Sequence, residues 1–228
     1  MFRGKPRWRK VLRDLWGNKV RTLLVVLSIA VGVFAIGMIN GTQVLLREDL
    51  SVAYMATKPA GAELSMSGFD KDLLHTVRRM DEVAEADARR SLTMQVQVGP
   101  DEWRTMHVVA FADDDDIRIH KVDALAGTWP PPDHGIVVER ASLPYVNAAI
   151  GDLLTVEAAD GRLRQLPISG TAHDIFTDPV QFTNQPNAYM SIETLEWLGF
   201  GSYFNELHII TTGDTTDKEH ITAVANTV

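Results

Sequence analysis

DLLTVEAADGRLRQLPISGTA, residues 152–172, reads as a β-hairpin. Two apolar-rich runs flank Asp160-Gly161, a dipeptide that accepts the left-handed backbone of a tight turn. The neighbouring segments follow the same style. SLTMQVQV, residues 91–98, alternates and sends Leu92, Met94, Val96 and Val98 to one face. Gly99-Pro100-Asp101 then turns the chain, and EWRTMHVVAF, residues 102–111, returns as the partner strand. GIVVER (135–140) and FNELHIITT (204–212) read as further strands, and ASLPYVNAAI (141–150) as a short helix ending at Gly151. NAYMSIETLEWL (187–198) reads as strand then helix, with Ser191 as N-cap. GFDKDLLHTVRRM (68–80) predicts a helix with Leu73, Leu74, Val77 and Met80 on one face and Asp70 or Asp72 near its start. TTDKEHITAVANTV (215–228) opens with a capping box at Thr216 and Glu219 and buries Ile221, Val224, Ala225 and Val228. Hairpins mixed with helices, without regular βαβ alternation, predict an α+β domain.

That domain is preceded by a very different segment. From Thr22 to Leu46 no residue is charged, and TLLVVLSIAVGVFAIGMI (22–39) is almost purely apolar. Such a run, at about 1.5 Å per residue, reaches roughly 37 Å and can cross a hydrocarbon core of about 30 Å. A buried core helix would need a larger protein around it. A cleaved signal peptide would carry an apolar region of about 7–15 residues closely followed by a small-residue site. Here the run is longer, and the nearest Ala-x-Ala, Ala60-Gly61-Ala62, lies well downstream. A retained transmembrane helix over residues 21–46 is the expectation. Gly32 and Gly37 give it two thin places where another helix can approach.

Charge is divided sharply. The chain has 228 residues and a net charge of −8, yet residues 1–21 carry eight basic side chains against Asp14 alone. The rest is therefore strongly acidic. Positive residues stay on the cytoplasmic side, so the N-terminus is expected inside and residues 47–228 outside. Within residues 1–20, Trp8, Val11, Leu12, Leu15 and Trp16 recur at helical spacing, while Arg9, Lys10 and Arg13 face the other way. This predicts an amphipathic helix in the cytoplasmic headgroup layer, with membrane lipid as its partner. Trp8, Leu12, Arg13, Leu15, Trp16, Lys19 and Arg21 are its candidate interface and coupling residues. The acidic body argues against nucleic acid, because phosphate binding needs clustered Lys and Arg.

Little in the sequence points to catalysis. There is no cysteine, hence no disulfide or thiolate metal site. Neither G-x-x-x-x-G-K-[ST] nor G-x-G-x-x-G occurs, so this chain is not expected to bind or hydrolyse ATP itself. Four adjacent carboxylates, Asp113 to Asp116, lack the spacing of a calcium loop and read as a solvated acidic loop. The seven histidines (75, 107, 120, 134, 173, 208 and 220) form no H-x-x-x-H pair, and structural or surface roles are expected for them. His173-Asp174 has no nucleophile motif beside it. GTWPPPDHG (127–135) reads as a stiff connector. No catalytic, cofactor or metal residue is assigned, and the chain is not expected to be an enzyme.

Several stretches together resemble the N-terminal half of FtsX-like/MacB-like ABC transporter permeases. LRDLWGNKVRTLLVVLSIAVGVFAI (12–36) is similar to the family's amphipathic entry into its first membrane helix. AGTWPPPDHGIVVERASLPYVNAAIGDLLTVEAADGRLRQLPISGTAHD (126–174) is similar to the MacB-like periplasmic core, and NAYMSIETLEWLG (187–199) to the segment after it. The resemblance implies a cell-membrane (inner-membrane) permease subunit for transmembrane transport, partnered by a cytoplasmic ABC ATPase and a second permease subunit. It implies ATP-driven movement of the outer domain for export or extraction of lipoproteins, peptides or amphiphiles. The family has three further membrane helices after the outer domain, so a chain ending at Val228 is expected to be a fragment or the product of a split gene. The alternative is a single-pass anchored binding or sensory domain.

Overall fold

The structure is a computed structural model that describes residues 19–111, 117–213 and 217–228, with side chains left out for 39–53. Helix α1, Lys19–Ala56, contains the apolar run. Its first twenty residues, Lys19–Met38, are long and apolar enough to cross a membrane. Over that stretch Leu23, Val25, Ile29, Val33, Phe34 and Ile36 are all exposed. A helix apolar on every side and exposed along this stretch among the described residues is what a lipid-facing segment requires.

The chain divides after Ala53, and residues Tyr54–Val228 form a compact unit of their own. Its elements run β1 (Ala62–Phe69), α2 (Lys71–Val77), β2 (Val83–Gly99), β3 (Glu102–Phe111), β4 (Asp123–Gly127), β5 (Ile136–Glu139) and α3 (Leu143–Val146). They continue with β6 (Leu153–Glu157), β7 (Leu163–His173), α4 (Val180–Thr183), β8 (Asn187–Ser191), α5 (Ile192–Trp197), β9 (Phe204–Thr211) and α6 (Lys218–Ala225). This is the expected α+β class.

The strands lie in the order β1-β9-β2-β3-β8-β5-β7-β4, with β6 pairing both β2 and β7. That double pairing closes a circuit: β2 to β3, β8, β5, β7, β6 and back to β2. Alternation then sorts side chains to the inside or outside of a six-stranded barrel. Met106, Val108, Ile136, Val138, Leu154, Val156, Leu166, Ile168, Ala188 and Met190 are buried together inside. On the outer face, Val109, Phe111, Val122, Val137, Ala172 and Tyr189 form a second, smaller apolar cluster. The N-terminal half of β2 leaves the barrel and, with β9 and β1, forms an arm. Leu74 and Val77 of α2 and Val224 of α6 belong to the main core, together with Ala86, Ala88, Leu207 and Ile209 of the arm.

Both predicted hairpins are present, β2–β3 across Gly99 to Glu102 and β6–β7 across residues 158–162. Ser191 caps α5, its hydroxyl accepting from the Thr194 N–H, and Asp70 caps α2. Four local expectations need correction. Gly68 and Phe69 belong to β1, and α2 stops at Val77. Helix α3 is one turn, ended by left-handed Asn147 well before Gly151. The N-cap of α6 is Asp217, whose carboxylate accepts from the Glu219 and His220 N–H groups; Thr216 lies outside the described residues. On α6 only Val224 is buried, while Ile221, Ala225 and, beyond the helix, Val228 are half-buried.

Candidate functional site

Opposite the main core, the arm and the start of the barrel present a polar face. Cross-strand register fixes its membership. Glu63 pairs with His208. Asp87 pairs with His208 and Arg89 with Glu206. Thr93 pairs with His107, and His107 with Asn187. Residues 117–122 and 174–185 supply further walls, and between them lies a cavity of about 300 Å³ lined by Glu63, Arg89, His107, His120, Asp174 and His208 among others.

Asp87 and Arg89, two apart on β2 and both buried, hold one wall in place. Asp87 Oδ2 accepts the N–H groups of Arg118 and Ile119, each at 2.7 Å. Arg89 donates to the carbonyl oxygens of Ile119 and His120. A carboxylate and a guanidinium thus grip successive donors and acceptors of a single segment. Burial lowers the Arg89 pKa below the ordinary arginine value, opposed by Asp87, Asp174 and Glu206. Asp174 accepts from the Phe176 N–H at 2.8 Å and from the Tyr189 hydroxyl at 3.1 Å. Burial and this carboxylate push the Tyr189 phenol well above its ordinary pKa.

His120 takes a left-handed backbone, φ 47°, and its N–H donates to the Lys58 carbonyl at 2.9 Å. Its ring stacks on Phe176 at 3.7 Å between centroids and meets His208 edge-on at 4.9 Å. Nε2 accepts the Ala60 N–H at 3.0 Å. Burial, reinforced by His208 and Arg89, pushes the His120 pKa down to about 3, so the ring is neutral at physiological pH. Glu206 moves down from its ordinary value, chiefly through hydrogen bonding to His208.

A second chain of contacts crosses the floor. Ser91 Oγ lies 2.9 Å from His107 Nε2, and His107 Nδ1 lies 3.2 Å from Asn187 Oδ1. Asn187 commits its Nδ2 donor to the Asp178 carbonyl, so its oxygen faces the imidazole as acceptor. That fixes the proton on Nδ1 and leaves Nε2 to accept from Ser91. The register of β2, β3 and β8 is sufficient to bring these three together. The arrangement ties three strands to one another.

Of the residues singled out from sequence, Trp8, Leu12, Arg13, Leu15 and Trp16 lie outside the described residues, as does the run 113–116. Lys19 and Arg21 stand in the first turn of α1, both exposed. Gly32 and Gly37 lie on the same helix and, among the described residues, no atom outside the helix's own backbone comes within 4 Å of where a side chain would begin. His173 Nδ1 lies 3.3 Å from Glu139 Oε1, while Asp174 turns to Tyr189 and the cavity. Sequence reading missed the cavity, since its walls come from six separated segments. One signal was present: the polar stretch VAEADARR, residues 83–90, directly ahead of a strongly alternating strand.

No family model matches the sequence, and no curated protein matches it. Solved structures do resemble it. The extracellular domain of the noncanonic ABC-type transporter YknZ from Gram-positive bacteria superposes with a TM-score of 0.50 at 9% identity, over 71% of this chain and 86% of that one. The periplasmic region of MacB from Actinobacillus actinomycetemcomitans gives a TM-score of 0.48 at 11% identity, over 72% and 80%. At such identities the likeness concerns fold. An apolar helix followed in the chain by a domain of this kind supports a membrane localisation. The body of this chain has the fold of the extracellular domain of an ABC-type transporter.

Proposed function

We propose that the chain serves as a permease subunit of an ABC transporter of the FtsX/MacB type. It couples a separate cytoplasmic ATPase to movement of its outer domain, for export or extraction of lipoproteins, peptides or amphiphiles. One combination supports this reading: an apolar helix of membrane-crossing length precedes a domain with the YknZ extracellular fold. ATP binding and hydrolysis fall to the partner, and this chain contributes no catalysis. Gly32 and Gly37, open on α1, offer a second permease subunit a close approach. The test is to purify the full chain from its native membrane in mild detergent after cross-linking. A stoichiometric protein carrying G-x-x-x-x-G-K-[ST] is the expected companion. A complex without any such ATPase would sink the proposal and favour an anchored binding domain, a reading to which the polar cavity lends itself.

Orientation has its own test. The sequence has no cysteine, so a single introduced thiol reports unambiguously. Asp160→Cys, on the exposed β6–β7 turn, should react with a membrane-impermeant maleimide in intact cells. Lys5→Cys should react only after lysis. The opposite pattern would reverse the proposed orientation.

A further inference from the structure

Glu63, His120 and His208 come from β1, from the segment before β4, and from β9, yet they offer one ligand atom each within 4.8 Å of one another. We propose that these three residues form a binding site for a divalent transition-metal ion of the zinc class. Two imidazoles and a carboxylate are a donor set that zinc accepts, with a fourth position left for water. Bonds of about 2.1 Å in a tetrahedral site need ligand atoms roughly 3.4 Å apart, so each group moves by less than about 1 Å to close on an ion. His120 Nε2 and Glu63 Oε1 already stand 3.6 Å apart.

His208 supplies an independent sign. It is 4% exposed, and its Nδ1 is buried with no hydrogen-bond partner. Buried polar atoms are rarely left so, and an unpartnered one calls for a ligand. Its other nitrogen, Nε2, lies 3.7 Å from Glu206 Oε2. A metal-bound imidazole commonly donates its second N–H to such a carboxylate, which leaves Nδ1 for the ion. The lone pair of His120 Nε2 now accepts the Ala60 N–H at 3.0 Å, so the Ala60 peptide must turn aside for an ion to take its place. The surroundings suit a cation as well: Glu63, Asp174, Asp178 and Glu206 line the cavity against Arg89.

The site stands whether or not the chain belongs to a transporter, and its test involves no transport. The full chain, purified in detergent with a tag that contains no histidine and stripped with EDTA, is titrated with Zn²⁺ in a calorimeter. Co²⁺ is added separately, and the visible absorption of tetrahedral cobalt is recorded. One ion per chain is expected. Glu63→Gln, on an exposed edge-strand side chain, should fold normally and bind roughly tenfold more weakly or worse. His208→Gln should abolish the cobalt absorption. Replacing Asp113 to Asp116 by asparagine should change nothing. An absence of zinc binding would overturn the site. So would binding unchanged by both Glu63→Gln and His208→Gln, or binding lost with the acidic run.

Discussion

Gly170→Val should leave the domain Tyr54–Val228 without a stable native state. Gly170 of β7 pairs with Gly127, the last residue of β4. A Cβ at Gly170 would lie 2.7 Å from the Ala126 carbonyl oxygen, 2.9 Å from that of Thr128 and 3.1 Å from the Thr128 nitrogen. All three are backbone atoms, so no side chain can swing aside. Gly127 is equally constrained, with φ at +80° and the Ser169 carbonyl against any added carbon. The two glycines let the chain pass close before Thr128 donates to the Ser169 carbonyl at 2.9 Å. Separating β4 from β7 also uncovers Ala172, Val122 and the cluster around Tyr189. Overpacking against backbone, combined with that loss, should exceed about 4 kcal/mol. Gly151 provides the control. Its φ is +94°, but nothing lies within 4 Å, so Gly151→Ala should cost only about 1–2 kcal/mol. Urea titration of the purified chain, followed by tryptophan fluorescence, measures both. A Gly170→Val protein that unfolds at the wild-type midpoint would show that the β4–β7 approach is not needed.

Sequence legibility followed the source of each signal. Where a turn and an alternation coincide, as at Gly99-Pro100-Asp101 or Asp160-Gly161, chemistry within a dozen residues sets the structure, and both hairpins could be read. Ser191 was readable as a cap for the same reason, whereas Asp70 and Asp72 marked only the start of a helix, and the structure makes Asp70 the cap. Strand β1, AELSMSGF, alternates apolar and polar from Ala62 to Ser67, but the run is short and no turn signal pairs it with a neighbour in sequence; its inward residues Ala62, Leu64 and Met66 are half-buried at the sheet edge. The first half of β2 hides Asp87 and Arg89 on the face that a strand pattern assigns to water. That reversal becomes visible only once the covering segment Arg118–His120 is in place. The glycine pair at 127 and 170 and the trio of Glu63, His120 and His208 are equally silent. Each depends on register between segments far apart in sequence, to which local periodicity is blind.

That covering segment is the basis of the second large expected effect. Arg89→Met keeps the length and apolar stem of the side chain but removes its charge. The carbonyls of Ile119 and His120 lose their donor, and Asp87, Asp174 and Glu206 lose the cation among them. Removing one member of a buried charged set costs about 3–5 kcal/mol, most of it from the charges left behind. The guanidinium also lies 5.0 Å over the Phe111 ring, which methionine can still cover, so packing loss is minor. Trp129 stands edge-on to Phe111 at 6.0 Å and to Tyr189 at 5.7 Å, so its fluorescence should register loosening there. Asp87→Asn weakens the same grip from the other side, since an amide keeps one oxygen for the two N–H groups and forfeits the charge. If both side chains act on one segment, the double variant should lose at least about 1 kcal/mol less than the two single losses added together. Strict additivity would mean that Asp87 and Arg89 stabilise the domain separately. The wall of the cavity, and His120 with it, would then owe its position to the backbone bonds with Thr57 and Lys58 instead.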